Sequence, residues 1–358
     1  MAGKEGIPLG LQAGLNLVDT TAITPLTPER INGNFVGKDI LSLEQFDPES
    51  LETIFRTATQ MRDVARNARP NDVLKGNIVT LLFYEPSSRT RGSFDASTKQ
   101  LGGATLVVEN PQAFSSVSKG ESFPDTIRTF EAYSDAIVLR HPTNGAAIDA
   151  SIAARHVPII NAGDGTGEHP TQAILDLFTI KEGTGRLHDL TIVAGGDIKN
   201  GRTIHSLLHG LSMYHGNTAY LLAPEELRMP KEEVWVYKQK GLNVVEIEDM
   251  REIPKEANAW YWTRVQKERF ASIEAYAKVN NRFVVTPEVF NEYANEGTIL
   301  MHPLPRVGEI TEEMDQDSRS VYLGSEVRNG MYTRMALLGL VLGRINPNEA
   351  SNKGPLIF

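Results

Sequence analysis

The five residues Ser87 to Arg91 hold three hydroxyls and two guanidinium groups. They follow directly on an apolar run, Asn77–Phe83, and precede a helix-like stretch at Thr90–Leu101. A strand that empties into a helix start puts unpaired N–H groups and the positive end of a helix dipole at this place. Ser87, Arg89 and Thr90 add side-chain donors to it, a combination suited to a phosphate. The same residues also read as a Ser/Thr helix cap beside solvated arginines. The Gly-rich lysine motif of nucleotide P-loops is missing, so a bound phosphate belongs to a small molecule.

Other polar clusters stand at the ends of apolar runs. "LRHP" sets Arg140 just after Leu139. "NAGDGTGEHPTQ" delivers His169 and Gln172, three apart and therefore on one side of a first helical turn. "TRVQKER" follows Trp262 and supplies Arg264 and Gln266, and "MHPLPR" contains Met301 and then Pro303 and Leu304.

The elements that must position these groups form two series. Apolar, β-branched runs occur at Asn77–Phe83, Ala104–Val108, Ala136–Leu139 and Val157–Asn161. A second series occurs at Leu190–Ala194, Thr218–Leu222, Asn243–Ile247, Ala259–Trp262, Arg282–Val285 and Thr298–Met301. Helix-like stretches intervene, among them Glu121–Tyr133, Arg202–Tyr214 and Glu225–Lys240. The pattern predicts an α/β fold of two doubly wound parallel-sheet domains joined by interdomain helices. In such sheets ligands bind beyond the carboxyl ends of the strands. The helices expected at His169–Arg186 and Met331–Gly343 lie between and after the two series. The expected division is an N-terminal extension at 1–34, one domain at 35–168 completed by a C-terminal helix at 328–345, and a second at 169–327.

A length of 358 residues accommodates two cores. Cysteine is absent, which removes disulfides and thiolate chemistry and fits a reducing, cytoplasmic setting. The net charge of −9 argues against nucleic acid or an acidic membrane as partner. No stretch approaches the ~18 apolar residues of a membrane span. Residues 1–34 have no continuous apolar segment of the signal-peptide kind and read as a loosely docked extension. His205 and His209 stand at i, i+4 with His215 nearby, but HExxH is absent and no metal is expected. The glycines of "VAGGDIKNGR" do not match GxGxxG, and no organic cofactor is expected.

"SSRTR", "LRHP", "HPTQ", "GRT", "TRVQKER" and "HPLPR", in this order across about residues 35–345, resemble the catalytic chain of the aspartate carbamoyltransferase family. The ornithine-specific relatives typically carry a Cys near Leu304 and an SMG-type loop, and both are absent. The resemblance implies transfer of a carbamoyl group from carbamoyl phosphate to L-aspartate, an early step of pyrimidine synthesis, without metal or cofactor. It assigns residues 35–168 to carbamoyl phosphate and 169–327 to aspartate. It implies that Ser87, Arg89 and Thr90 bind the phosphate, and that Thr90, Arg140 and His169 surround the carbonyl oxygen. Gln172 and the backbone of Pro303 and Leu304 would hold the carbamoyl NH2, and Arg202, Arg264 and Gln266 the two carboxylates of aspartate. Ser115 and Lys119, in "SSVSKGES", match a loop that enters a neighbour's site in a homotrimer. A regulatory chain or a pyrimidine-pathway partner stays open. The alternatives are an inactive scaffold and an ornithine carbamoyltransferase. Gly195–Gly196 and Gly324 depart from the family's usual residues.

Overall fold

The computed structural model describes residues 28–67, 71–165, 167–267, 270, 272–280 and 282–347. The strands are β1 (Ile78–Phe83), β2 (Ala104–Glu109), β3 (Ala136–His141), β4 (Ile159–Asp164), β5 (Thr191–Gly195), β6 (Thr218–Leu222), β7 (Asn243–Ile247), β8 (Ala259–Trp262) and β9 (Ile299–Met301). The α-helices are α1 (Pro48–Arg66), α2 (Ser88–Gln100), α3 (Pro111–Phe114), α4 (Phe123–Glu131), α5 (Ala146–Ala153), α6 (Pro170–Thr184), α7 (Arg202–Ser212), α8 (Lys231–Gln239), α9 (Ile273–Asn280), α10 (Pro287–Tyr293) and α11 (Ser325–Val341).

Two parallel sheets result, ordered β2-β1-β3-β4 and β7-β6-β5-β8-β9. Their central strands are buried on both faces, which is why they read as unbroken apolar runs. Each sheet reverses its winding once. In the first, β2 lies on one side of β1 and β3 on the other; in the second, β6 and β8 flank β5 in the same way. Crevices open at such reversals, outside the carboxyl ends of the strands. The register pairs Phe83 with Arg140 across the first reversal and Gly195 with Trp262 across the second.

The helices α6 and α11 tie the halves together. Ile174, Leu177, Phe178 and Ile180 of α6 are buried, as are Met335, Leu337, Leu338 and Leu340 of α11. The last helix packs on α1, α2 and α6. Side-chain bonds fix it there, Ser97 Oγ to Met331 O at 3.0 Å and Asn329 Nδ2 to Thr179 Oγ1 at 3.1 Å. A second core, under β8, is built on Trp260, Trp262 and Phe290.

Two expected elements differ. Arg282–Val285 is not a strand: Val285 makes one isolated bridge to Ile310. Its apolar character comes from Phe283 and Val285 packing in the core with the β8 tryptophans, and Trp262 Nε1 donates to Phe283 O at 3.0 Å. Glu225–Lys240 is broken at Pro230, which caps α8, because proline cannot supply an interior helical N–H. Residues 1–27 of the expected extension lie outside the described residues. Ile31 is buried, and its N–H donates to Gln45 O at 2.8 Å.

The paired glycines after β5 have a packing reason. A Cβ on Gly195 would stand 2.8 Å from the Trp262 ring, and one on Gly196, at φ +111, 2.0 Å from Thr263 O. Close approach of the ends of β5 and β8 requires both. Nothing packs tightly on Gly324, whose nearest neighbour to a Cβ would be Val321 O at 3.8 Å, and the structure does not explain it.

Candidate active site

Both reversals open into one cavity of about 560 Å³. Eleven of the predicted residues line it: Ser87, Arg89, Thr90, Arg140, His169, Gln172, Arg202, Arg264, Gln266, Pro303 and Leu304. Ser87 immediately precedes α2, and its hydroxyl makes no capping bond. The first turn of α2 holds no acidic residue, so the helix end keeps its positive field. Thr90 is buried in that turn. Arg140 is the penultimate residue of β3; its guanidinium donates to Ala162 O at 3.1 Å and stands 3.4 Å from Glu85. Arg202 opens α7 and donates to Gly165 O. After β8, Gln266 is held by its backbone N–H to Asp197 at 3.3 Å and by Nε2 to Asn200 O at 2.9 Å.

Five arginines line the cavity against two acidic residues, Glu85 and Glu326, and burial raises Glu326 well above the usual carboxylate range. Burial and the neighbouring Arg202 hold Arg140 down to about 10. Burial and Arg264 lower Arg89. His169 precedes α6 and is 4 % exposed. Burial, with Arg202, Arg140 and Arg334 beside it, drives its pKa well below the ordinary range, so the imidazole is neutral at neutral pH. Its Nδ1 lies 3.3 Å from Thr171 Oγ1. The site therefore stores positive potential and keeps its histidine uncharged.

Several site residues escaped sequence reasoning. Arg334 of α11 lines the cavity, donates to Ser93 Oγ at 2.9 Å and lies over Phe94. Beneath Gln172 is Asp176, which accepts from Gln172 Nε2 at 2.9 Å and from the Tyr261 hydroxyl at 2.7 Å. Burial pushes Asp176 up to about 7. Behind Pro303 and Leu304, His302 Nδ1 accepts from Leu304 N–H at 2.8 Å, so Nε2 carries the proton and donates to Glu309 at 2.6 Å. His302 N–H donates to buried Glu326 at 3.1 Å, and Arg89 reaches Leu304 O at 3.0 Å. The available signal was a lone charge inside an apolar helix pattern, Asp176 in "ILDLF" and Arg334 in "YTRMALL".

Ser115 and Lys119 do not line this cavity. Ser115 donates to Pro111 O at 2.7 Å and accepts from Val117 N–H, and Lys119 is exposed in a turn closed by Gly120 at φ +96. The three histidines considered together are apart in their bonding. His205 meets Ile198 O and Glu233, His209 meets Lys240, and His215 faces Asp189.

Two family models match, the aspartate/ornithine carbamoyltransferase carbamoyl-P binding domain over residues 38–182 and the Asp/Orn binding domain over 188–341. The chain belongs to the aspartate/ornithine carbamoyltransferase family. Within this carbamoyltransferase family, it is 45 % identical over 312 residues to the multifunctional protein pyr1-3 of Dictyostelium discoideum, covering 87 % of this chain and 14 % of that one. It is 43 % identical over 306 residues to chloroplastic aspartate carbamoyltransferase 3 of Pisum sativum, covering 85 % and 77 %. Aspartate transcarbamoylase from Trypanosoma cruzi, solved with N-(phosphonacetyl)-L-aspartic acid, matches with a TM-score of 0.80 at 37 % identity, covering 86 % of this chain and 97 % of that one. Among the described residues, no helix is long and apolar enough to cross a membrane.

Proposed function

We propose that this protein transfers the carbamoyl group of carbamoyl phosphate to the amino group of L-aspartate, giving N-carbamoyl-L-aspartate and phosphate in pyrimidine synthesis. The observation that carries the reading is an arginine-rich cavity into which both sheet reversals open. Two anionic substrates need such a field, one half for each. The C–N bond forms as the amine attacks the carbonyl, negative charge grows on its oxygen, and the C–O bond breaks with its electron pair leaving on phosphate. The amine gives up one proton, which the departing phosphate takes as it leaves.

The roles follow from the chemistry. Ser87, Arg89 and Thr90 hold the phosphate at the start of α2. Arg140, Thr90 and neutral His169 face the growing oxyanion, where preorganised donors act most strongly. Arg202, Arg264 and Gln266 hold the carboxylates of aspartate, arginine's planar fork matching them bidentately. An ionised Asp176 accepts only, so Gln172 must turn its NH2 toward Asp176 and its carbonyl toward the cavity. That carbonyl, with the backbone carbonyls of Pro303 and Leu304, accepts from the carbamoyl NH2. Residues 35–168, completed by the C-terminal segment 328–345 that carries most of α11, form the carbamoyl-phosphate domain and 169–327 the aspartate domain. The direct test supplies carbamoyl phosphate with L-aspartate and L-ornithine side by side. Turnover of ornithine alone, or of neither, would refute the reading.

The same proposal makes the protein a cytoplasmic homotrimer in which Ser115 and Lys119 complete a neighbour's site. The exposure of Lys119, away from its own chain's cavity, supports this. Lys119→Ala and Arg202→Ala chains should each be nearly inactive. In exchanged mixtures about a quarter of sites should be intact by cyclic symmetry. Activity no higher than the parents in mixed trimers rules the shared site out.

A further inference from the structure

On the face of the second domain, three metal-ligating side chains meet that the reaction does not use. His188 and Asp189 lie in the segment between α6 and β5, and His215 lies in the turn between α7 and β6. The ligand atoms of His188, Asp189 and His215 are all within 4.8 Å of one another. Asp189 stands between the rings: Oδ2 is 2.8 Å from His188 Nδ1 and Oδ1 is 3.6 Å from His215 Nδ1. The rings stack with centroids 4.9 Å apart.

This meeting is held by the fold. Asp189 N–H donates to His215 O at 3.0 Å, joining the two connections directly. Buried Asn217 donates to Leu187 O at 2.8 Å and accepts from Leu190 N–H at 2.9 Å, clamping both ends of the His188–Asp189 pair. Leu187 and Leu190 are themselves buried. Arg186 donates to the carbonyls of His188 and Asp189 and so turns its charge to the backbone. Asp189 is held at φ +51, and Gly216 leaves room for its carboxylate, since a Cβ there would meet Oδ1 at 1.9 Å.

We propose that His188, Asp189 and His215 form a surface site for a late first-row divalent cation, Zn²⁺ being the reference ion. Tetrahedral bonds of about 2.0–2.1 Å place ligand atoms about 3.3 Å apart, between the two separations seen here. Two imidazoles and one carboxylate suit Zn²⁺, Ni²⁺ or Cu²⁺ and disfavour Mg²⁺, which takes oxygen ligands. The exposed face leaves a fourth position for water. Bound metal would pin the end of α6 to the end of α7, the two helices whose opposite ends carry His169, Gln172 and Arg202.

Calorimetric titration of the full chain with Zn²⁺ tests this. One ion per chain should bind, and His188→Ala and His215→Ala should each weaken it by at least about tenfold. Mg²⁺ should produce no saturable heat. His205→Ala, whose ring is engaged elsewhere, should bind Zn²⁺ like the parent. Circular dichroism and aspartate turnover, unchanged in the alanine variants, would establish that each is folded. Undiminished affinity in a His188→Ala/His215→Ala chain, or no saturable binding at about a hundredfold excess of Zn²⁺, overturns the site.

Discussion

The arginines of the cavity and those packed behind β9 carry one side chain into opposite surroundings. Arg89, Arg140 and Arg334 are each lowered, burial being the largest cause, and Arg140 is lowered further by Arg202. Arg306 and Arg319 are raised by carboxylates that accept from them. Arg306 meets Asp315 Oδ2 at 3.0 Å and the Tyr322 hydroxyl at 3.0 Å. Arg319 meets Asp317 Oδ1 at 2.9 Å and lies 4.4 Å from the Phe290 ring centre. The second group spends its charge on the fold. The first group is desolvated in the cavity, Arg89 at the start of α2, Arg140 near the end of β3 and Arg334 within α11, and Arg89 and Arg140 are lowered further by neighbouring arginines. Burial as the largest influence sets the cavity arginines apart; the number of arginines does not.

The sharpest way to break this contrast is Arg89→Ala. Loss of one charged contact to a bound phosphate should cost about 2–4 kcal/mol, ~30- to 1000-fold in kcat/KM for carbamoyl phosphate. The thermal midpoint should hold or rise, since Arg264 loses a repelling neighbour. Near-normal kinetics would remove the phosphate from this helix end. Arg264→Ala should separate the two halves of the cavity. We expect the aspartate KM to rise by about ten- to a hundredfold, at roughly 1.4 kcal/mol per tenfold, with carbamoyl phosphate affinity retained. Equal binding of N-(phosphonacetyl)-L-aspartate by parent and variant would contradict that division.

A smaller effect sharpens the comparison at a carboxylate. Asp176 has its pKa raised, so it loses its proton only as pH climbs to about 7. Above that value it accepts from Gln172; below it, the protonated acid can donate and release the amide's orientation. The KM for carbamoyl phosphate should therefore rise by up to about tenfold as pH falls from about 8 to 6. In Asp176→Asn the KM should be raised and flat over this range, and an unaltered pH profile in that variant would exclude the relay. The smallest catalytic change belongs to Arg319→Ala. Its kcat should stay near parental while unfolding is easier by about 1–2 kcal/mol, from lost hydrogen bonds and packing on Phe290. Denaturant titration beside kinetics measures both, and a collapse of kcat with unchanged stability would erase the distinction between the two groups.

Much of the cavity wall at the start of α2 was legible in sequence because its polar residues are contiguous. Ser87, Arg89 and Thr90 lie within one helical turn, after a run of apolar residues that only a buried strand explains. Arg140, His169 and Arg264 were visible as polar residues just past apolar runs, and their roles came from family resemblance. The supporting network was not legible. Asp176 and Tyr261 are 85 residues apart, and no local pattern announces that a phenol on β8 will meet a carboxylate on α6. Arg334 was hidden in the apolar helix that the sequence otherwise described well. Phe283 and Val285 imitated a strand because burial beside tryptophans and burial within a sheet select the same residues.

The packing of α11 also has a temporal consequence. Its residues, Ser325–Val341, lie on α1 and on α2, which packs on β1 and β2 of the first sheet. A ribosome making residues in order completes β1 through β4 long before it makes the helix that covers these early elements. The nascent first domain must wait, with part of its apolar surface open, until the second domain has been synthesised. The first domain's packing is thus completed only after residues 165–324 have been made.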